Sequence, residues 1–243
     1  MLKKVVALDF DGVICDSAKE CMFVSYMAYV KSSDNHIKIN TKLRESFLNH
    51  RYLVRDPKNF YLLWKVIIEG SISQYAGKQD LFEERAKNEK DENFNSFRER
   101  YFQTRKKLKV TNIKTWLRKN PLYPNVEAVI NKLLVDYPVY IITTKDIESV
   151  QDILYFHGIT PTKIYDGSTF TQKGMIINQL QAQHSKEGKK CVIYYVDDQF
   201  SDLQSCQSAG AVVRWATWGY GLKPESITAL ESFAEIPHFV HSV

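Results

Sequence analysis

The chain has 243 residues, of which 44% are hydrophobic and 25% charged, and its formal net charge is +5. That length suits one large domain or a core with a smaller insert, and the apolar share is enough to bury a full core. The longest apolar runs, such as Val5–Leu8 and Val139–Ile142, are too short to span a bilayer, and no apolar stretch of signal-peptide length precedes Asp9.

The expectation is a cytoplasmic protein with no membrane partner. Its 4 cysteines form no CxxC pair and read as buried free thiols, and its 6 histidines are scattered without zinc-ligand spacing.

In chain order, the first element is the short apolar run Val5-Val6-Ala7-Leu8-Asp9-Phe10, a strand that ends in acids and Gly12. Strand signal then vanishes from Ala18 to Asn120. Asp56 and Pro57 read as the N-cap and first turn of a helix that carries Phe60, Leu63, Trp64 and Ile67 on one face. Phe94, Phe97 and Tyr101 form another stripe in a charged stretch; stripes at this spacing are ordinarily core. About a hundred residues of helix are thus inserted after strand one.

Beyond Asn120 the alternation resumes. Asn125 is placed as an N-cap before the stripe Val126, Val129, Ile130, Leu133 and Leu134. A strand at Val139–Ile142 ends at Thr143-Thr144-Lys145, and a helix with Ile147, Val150 and Leu154 follows Asp146 and stops at Gly158. Lys173 stands at the start of a helix running from Gly174 to Leu180. A third strand, Cys191 to Val196, ends at Asp197-Asp198, and Gly210 terminates a helix before a fourth, Ala211 to Trp215. Phe239-Val240 reads as a short edge strand. Near-continuous apolar strands alternating with helices argue for an α/β fold: a Rossmann-like parallel sheet with helices on both faces, plus an inserted helical module. The expected division is 1–17 with 121–243 for the core and 18–120 for the insert.

In open parallel sheets, ligands bind beyond the carboxyl ends of the strands. Strand one delivers Asp9, Asp11 and Gly12 there, strand two Thr143 and Thr144, and strand three Asp197, Asp198 and, one helical turn later, Asp202. A single Asp at such a place is ordinarily an N-cap or a solvated strand end. Several converging acids would repel one another unless a hard cation such as Mg²⁺ neutralised them. Thr143 then offers a hydroxyl and Lys173 a fixed positive charge to an anion of phosphate type, and Gly12 lets the backbone approach it closely.

Asp9-Phe10-Asp11-Gly12-Val13 resembles the first motif of the haloacid dehalogenase superfamily. Thr143 is similar to its second motif, Lys173 to its third, and Val196-Asp197-Asp198 with Asp202 to its fourth. Trp218-Gly219-Tyr220-Gly221 is similar to a segment of phosphoglycolate-phosphatase-like members. The resemblance implies a phosphatase acting on a small phosphorylated substrate. Asp9 would be the nucleophile and Asp11 the general acid and base, while Thr143, Thr144, Lys173 and Gly12 would hold the phosphoryl group. Mg²⁺ would be bound by the Asp9 carboxylate, the Asp11 main-chain carbonyl and Asp198, with outer roles for Asp197 and Asp202. Residues 18–120 would be the helical cap that closes over the site.

Dehalogenases and phosphonatases of the superfamily lack an acid at the place of Asp11. Phosphosugar mutases keep it, but the best-known type has a His early in the first cap helix, where this chain has Cys21. The insert holds 22 Lys/Arg against 12 Asp/Glu, net +10, and the remainder 11 against 16, net −5. Nucleic-acid binding by Arg105-Lys106-Lys107-Leu108-Lys109 is the other reading of that charge, disfavoured by the acids interleaved through the insert. The preferred reading is a positive lid for an anionic substrate. Arg51 and Arg55, in a break between helices, are candidates to touch its leaving group, against the alternative that both pair with acids of the insert. Neither the substrate nor the oligomeric state is legible.

Overall fold

The computed structural model describes residues 3–34, 37–185 and 190–242. His36, one of the scattered histidines, lies outside them. The chain divides into two compact units, Met1–Asp16 with Pro121–Val243, and Ser17–Asn120.

The first unit opens with β1 (Lys3–Leu8). The second holds α1 (Ala18–Val30), α2 (Thr41–Asn49), α3 (Asn59–Ile68), α4 (Gln79–Lys87), α5 (Glu92–Thr111) and α6 (Ile113–Leu117). The chain then returns to the first unit with α7 (Val126–Asp136), β2 (Val139–Ile142), α8 (Ile147–Phe156), β3 (Lys163–Tyr165) and α9 (Lys173–His184). It finishes with β4 (Cys191–Asp197), α10 (Phe200–Ser208), β5 (Val212–Ala216), β6 (Ala229–Leu230) and α11 (Ile236–His241).

All the strand pairings are parallel, in the order β3-β2-β1-β4-β5-β6. Both faces are covered, which is why the strands read as apolar without alternation. Val5, Ala7, Tyr140, Ile193 and Tyr195 share a core with Ile176, Ile177 and Leu180 of α9 and Leu203 and Cys206 of α10. On the opposite face Tyr194 meets Phe239 of α11 edge-on at 5.1 Å. Leu8 lies opposite Ile141 on one side and Val196 on the other, so β1 is central and the strand order reverses between β1 and β4. The site follows from that reversal.

Local chemistry sets the ends of several helices. Gly158 and Gly210 adopt positive φ of 65° and 88°, and each closes its helix through paired bonds to the last turn, Ile159 N–H to Leu154 O at 3.0 Å and Ala211 N–H to Cys206 O at 3.0 Å. Asp146 caps α8 by accepting from Ser149 N–H at 2.9 Å. Two expected caps differ. Asn125 sits in the left-handed region and makes no side-chain cap bond. Asp56 accepts from Lys58 N–H at 2.9 Å in a turn that ends before α3 begins at Asn59.

The expected edge strand at Phe239-Val240 is part of α11 instead. Two adjacent apolar residues fit either period, and Pro237, lacking an N–H, suits a first helical turn. The short edge strands β3 and β6 carry too few residues to show a pattern.

In the second unit the expected stripes are the core. Phe60, Leu63, Trp64, Ile67, Phe94, Phe97 and Tyr101 are all buried, and Phe47 stacks between Trp64 at 4.8 Å and Phe60 at 5.6 Å. Each such aromatic contributes about 2–3 kcal/mol by leaving water. This core also encloses an ion pair: Arg105 donates to both carboxylate oxygens of Glu20 at 2.8 and 2.9 Å, and Trp116 Nε1 donates to the same group at 2.9 Å. Arg105 is thus interior, unlike the exposed Lys106 and Lys107 beside it, which breaks the basic run as a continuous nucleic-acid stripe. All 4 cysteines of the sequence are buried and free. Among the described residues, no helix is long and apolar enough to cross a membrane.

Candidate active site

The ends of β1 and β4 bring Asp9, Asp197 and Asp198 together. Asp9 N–H donates to Val196 O at 3.0 Å, which continues the ladder one residue past the strand and sets Asp9 beside Asp197. Oxygens of the three carboxylates lie within 4.8 Å of one another, and all three residues are buried. Lys173, the first residue of α9 and also buried, reaches into the cluster: its Nζ donates to Asp9 Oδ1 at 2.5 Å and Asp197 Oδ2 at 2.8 Å, and pairs with Asp202 at 3.2 Å.

Lys173 therefore pairs with three of the four carboxylates gathered here, Asp198 being the fourth. Burial, reinforced by Asp197 and Asp198, holds the Asp9 carboxyl well above the usual carboxylate range, with Lys173 opposing. Burial works against the charge of Lys173 too, but Asp197, Asp202 and Asp9 together push it well above its ordinary value, so it stays cationic.

The two acids of the β4 end have different surroundings. Asp197 is saturated by protein donors: Lys173, the hydroxyl of Tyr195, and Gln199 N–H at 2.8 Å. Burial and the adjacent Asp197 raise the Tyr195 hydroxyl well above its ordinary range, so it remains a donor. Asp198 is oriented by the loop after β5. Its Oδ2 accepts Tyr220 N–H at 2.6 Å and Gly221 N–H at 3.0 Å, while Trp215 Nε1 donates to its main-chain carbonyl at 3.0 Å.

That loop lies so close that a Cβ on Gly221 would fall 1.7 Å from Asp198 O, and one on Gly219 2.2 Å from Asp198 Cβ. Gly12 serves the same approach from the other side. Its φ is +94°, a Cβ there would meet Asp198 Oδ2 at 2.6 Å, and its own N–H donates to Cys15 O at 3.0 Å.

Thr143 is buried at the end of β2, and its Oγ1 accepts Lys145 N–H at 3.1 Å; Thr144 is exposed. Lys145 is the residue that the sequence reading passed over. It is 3% exposed, and its Nζ pairs with Asp11 Oδ1 at 3.1 Å. Its one sequence signal was a lysine directly after two threonines at a strand's carboxyl end. Tyr195 was hidden as one more apolar strand residue, and the Tyr220–Gly221 amide pair gave only a turn signal.

Arg51 and Arg55 belong to the other unit and have partners within it. Arg51 is buried, donates to Val54 O at 2.7 Å and lies 5.0 Å from the Phe60 ring centre. Arg55 pairs with Glu83 at 3.1 Å, as the alternative reading had it.

A family model described as haloacid dehalogenase-like hydrolase matches residues 3–210. The chain belongs to this family. Solved structures of similar fold include a predicted phosphoglycolate phosphatase from Haemophilus somnus, with TM-score 0.65 and 19% identity over 99% of each chain. A predicted phosphatase from Clostridium acetobutylicum gives TM-score 0.59 and 15% identity over 100% of each. The HAD-hydrolase YfnB from Bacillus subtilis, described as bound to magnesium, gives 0.57 and 13% over 99% of each. At these identities the likeness is one of fold. No curated protein matches the sequence.

Within this family of hydrolases, a metal ion's fit to the site is decided by its donors. They are the carboxylates of Asp9, Asp197 and Asp198, hard oxygen ligands of the kind that suit Mg²⁺, and together with Asp202 they outnumber the one lysine, Lys173, paired among them. The site fits such an ion.

Proposed function

We propose that the chain is a Mg²⁺-dependent phosphomonoester hydrolase for a small phosphorylated metabolite, working through an aspartyl phosphate on Asp9. The observation that carries this reading is the buried acid cluster at the β1–β4 reversal, with one lysine among four carboxylates. Such an excess of acid favours a bound cation, and it stands where open parallel sheets bind ligands.

In this reading the Asp9 carboxylate, the Asp11 main-chain carbonyl and Asp198 would hold the ion; Asp198 is preferred to Asp197 because Asp197 is already saturated by Lys173, Tyr195 and Gln199. When bound, Mg²⁺ would offset charge on the phosphoryl oxygens. Asp9 Oδ attacks phosphorus as the ester P–O bond breaks, and the Asp11 carboxyl gives its proton to the leaving oxygen. Asp11 then takes a proton from water as the water oxygen attacks phosphorus. The bond to Asp9 breaks, inorganic phosphate leaves, and both aspartates return to their starting states.

Lys173 orients Asp9 and, with Thr143, the Thr144 amide and the backbone at Gly12, holds the phosphoryl oxygens. Residues 18–120 act as the cap. Arg51 and Arg55 would contact a second anionic group on the substrate, for which Arg55 would have to exchange its Glu83 partner.

A screen of phosphorylated metabolites with and without Mg²⁺ tests the reading. Inorganic phosphate should appear in step with substrate loss, and only with the ion present. Interconversion of sugar 1- and 6-phosphates with little free phosphate would make the chain a mutase, and a gel shift of a labelled oligonucleotide at physiological salt without any phosphate release would replace catalysis with binding.

A further inference from the structure

We propose that Lys145 is a positioning residue for Asp11: it fixes which way the acid–base carboxyl faces and so serves protonation of the leaving group. The inference rests on the phosphatase reading above and deepens it.

Lys145 Nζ lies 3.1 Å from Asp11 Oδ1, and the lysine side chain is 1% exposed against 18% for Asp11. A buried ammonium needs a carboxylate, and a carboxylate it pairs with loses rotational freedom. The lysine itself has little freedom to follow Asp11. Its N–H is bonded to Thr143 Oγ1 at 3.1 Å on one side. On the other, the next residue, Asp146, caps α8 through Ser149 N–H at 2.9 Å. The registered pairing of Leu8 with Ile141 brings the two strand ends side by side, so the pair spans adjacent loops with a rigid origin for each.

With Oδ1 engaged by Lys145, Oδ2 is the oxygen that meets the leaving group and later the water. Such an orienting contact matters only as far as the proton transfer matters. A poor leaving group, an alkoxide, needs its proton in the transition state, whereas a nitrophenolate departs nearly unaided. Loss of Lys145 should therefore divide substrates by leaving group and not by size or charge.

The test compares wild type with Lys145→Met on p-nitrophenyl phosphate, ethyl phosphate and phosphoglycolate, each with saturating Mg²⁺. The expected result is a fall in kcat of about 100-fold on both alkyl esters, at the lower end of what general acid catalysis supplies. The aryl ester should lose a few-fold at most, and KM should change little throughout. Equal losses on aryl and alkyl esters would mean that Lys145 only supports the structure. A rise in KM confined to phosphoglycolate, the probe with a second anionic group, would make it a substrate-binding cation.

Either outcome overturns the proposal. If Lys145→Met melts too low to assay, Lys145→Gln, which keeps a donor within reach of Asp11, should show the same division more weakly. A wild type that hydrolyses none of the three would refute the phosphatase reading itself. An active wild type with undivided losses refutes only the role given to Lys145.

Discussion

Asp198→Asn is expected to strip Mg²⁺-supported turnover while the fold holds, and Asp197→Asn to do the reverse. Both substitutions replace a buried carboxylate by its neutral isostere, so the difference comes entirely from the surroundings. In Asp198→Asn the amide oxygen could still accept from Tyr220 and Gly221 N–H, which hold Asp198 Oδ2 at 2.6 and 3.0 Å. The loop after β5 would stay seated while the charge that attracts the ion is gone.

The Mg²⁺ concentration for half-maximal activity should then rise by at least the roughly 100-fold that follows loss of a ligand's supporting partner. At Asp197 every oxygen faces a donor: Lys173, the Tyr195 hydroxyl and Gln199 N–H. An amide N–H₂ there sets donor against donor and weakens the compensation of a buried lysine. The cost should be about 3 kcal/mol of stability. Melting temperature and a Mg²⁺ titration of activity, measured on both variants, check this. The opposite assignment of the two losses would move the metal to Asp197.

Asp9→Asn should lower turnover by at least about a thousandfold, because an amide cannot form the covalent intermediate. It should not lower the melting temperature in Mg²⁺-free buffer. Burial, with Asp197 and Asp198, holds the Asp9 carboxyl above its ordinary range. An acid raised in the folded state favours folding when protonated and disfavours it once pH rises through the ordinary carboxylate range. Above the ordinary carboxylate range the raised group therefore costs stability, and a neutral isostere at position 9 removes that cost.

Lys173 keeps Asp197 and Asp202 as partners in the variant. Added Mg²⁺ should raise the melting temperature of wild type more than that of Asp9→Asn. A variant that keeps a tenth of wild-type activity, or that unfolds many degrees earlier without the ion, would contradict the assignment.

Much of this site was legible because its residues sit at chain positions with a single geometric meaning. An apolar strand ending in a polar residue puts that residue at the carboxyl edge of a parallel sheet, and three such strands converge whatever joins them. Asp9, Thr143, Asp197 and Asp198 could be read that way, and Lys173 from its place at a helix start. What could not be read depends on side-chain reach. Nothing in the order Thr143-Thr144-Lys145 says that the lysine turns inward to Asp11. Nor does the turn Gly219-Tyr220-Gly221 announce that its amides clasp Asp198.

The same limit explains the miss at Phe239-Val240, where two residues cannot separate a period of two from one of 3.6. It also explains Arg105, which its neighbours Lys106 and Lys107 make look like part of a solvated run although it pairs with buried Glu20.

The central claim is that Asp9 carries the phosphoryl group. It is tested most directly by acid-quenching wild type during turnover of a ³²P-labelled ester and following the label on the denatured protein. The account predicts label bound to the chain, released by hydroxylamine as an acyl phosphate should be, mapping to the peptide that contains Asp9 and absent from Asp9→Asn. Rapid turnover with no protein-bound label at any quench time, or label on a peptide without Asp9, would contradict it.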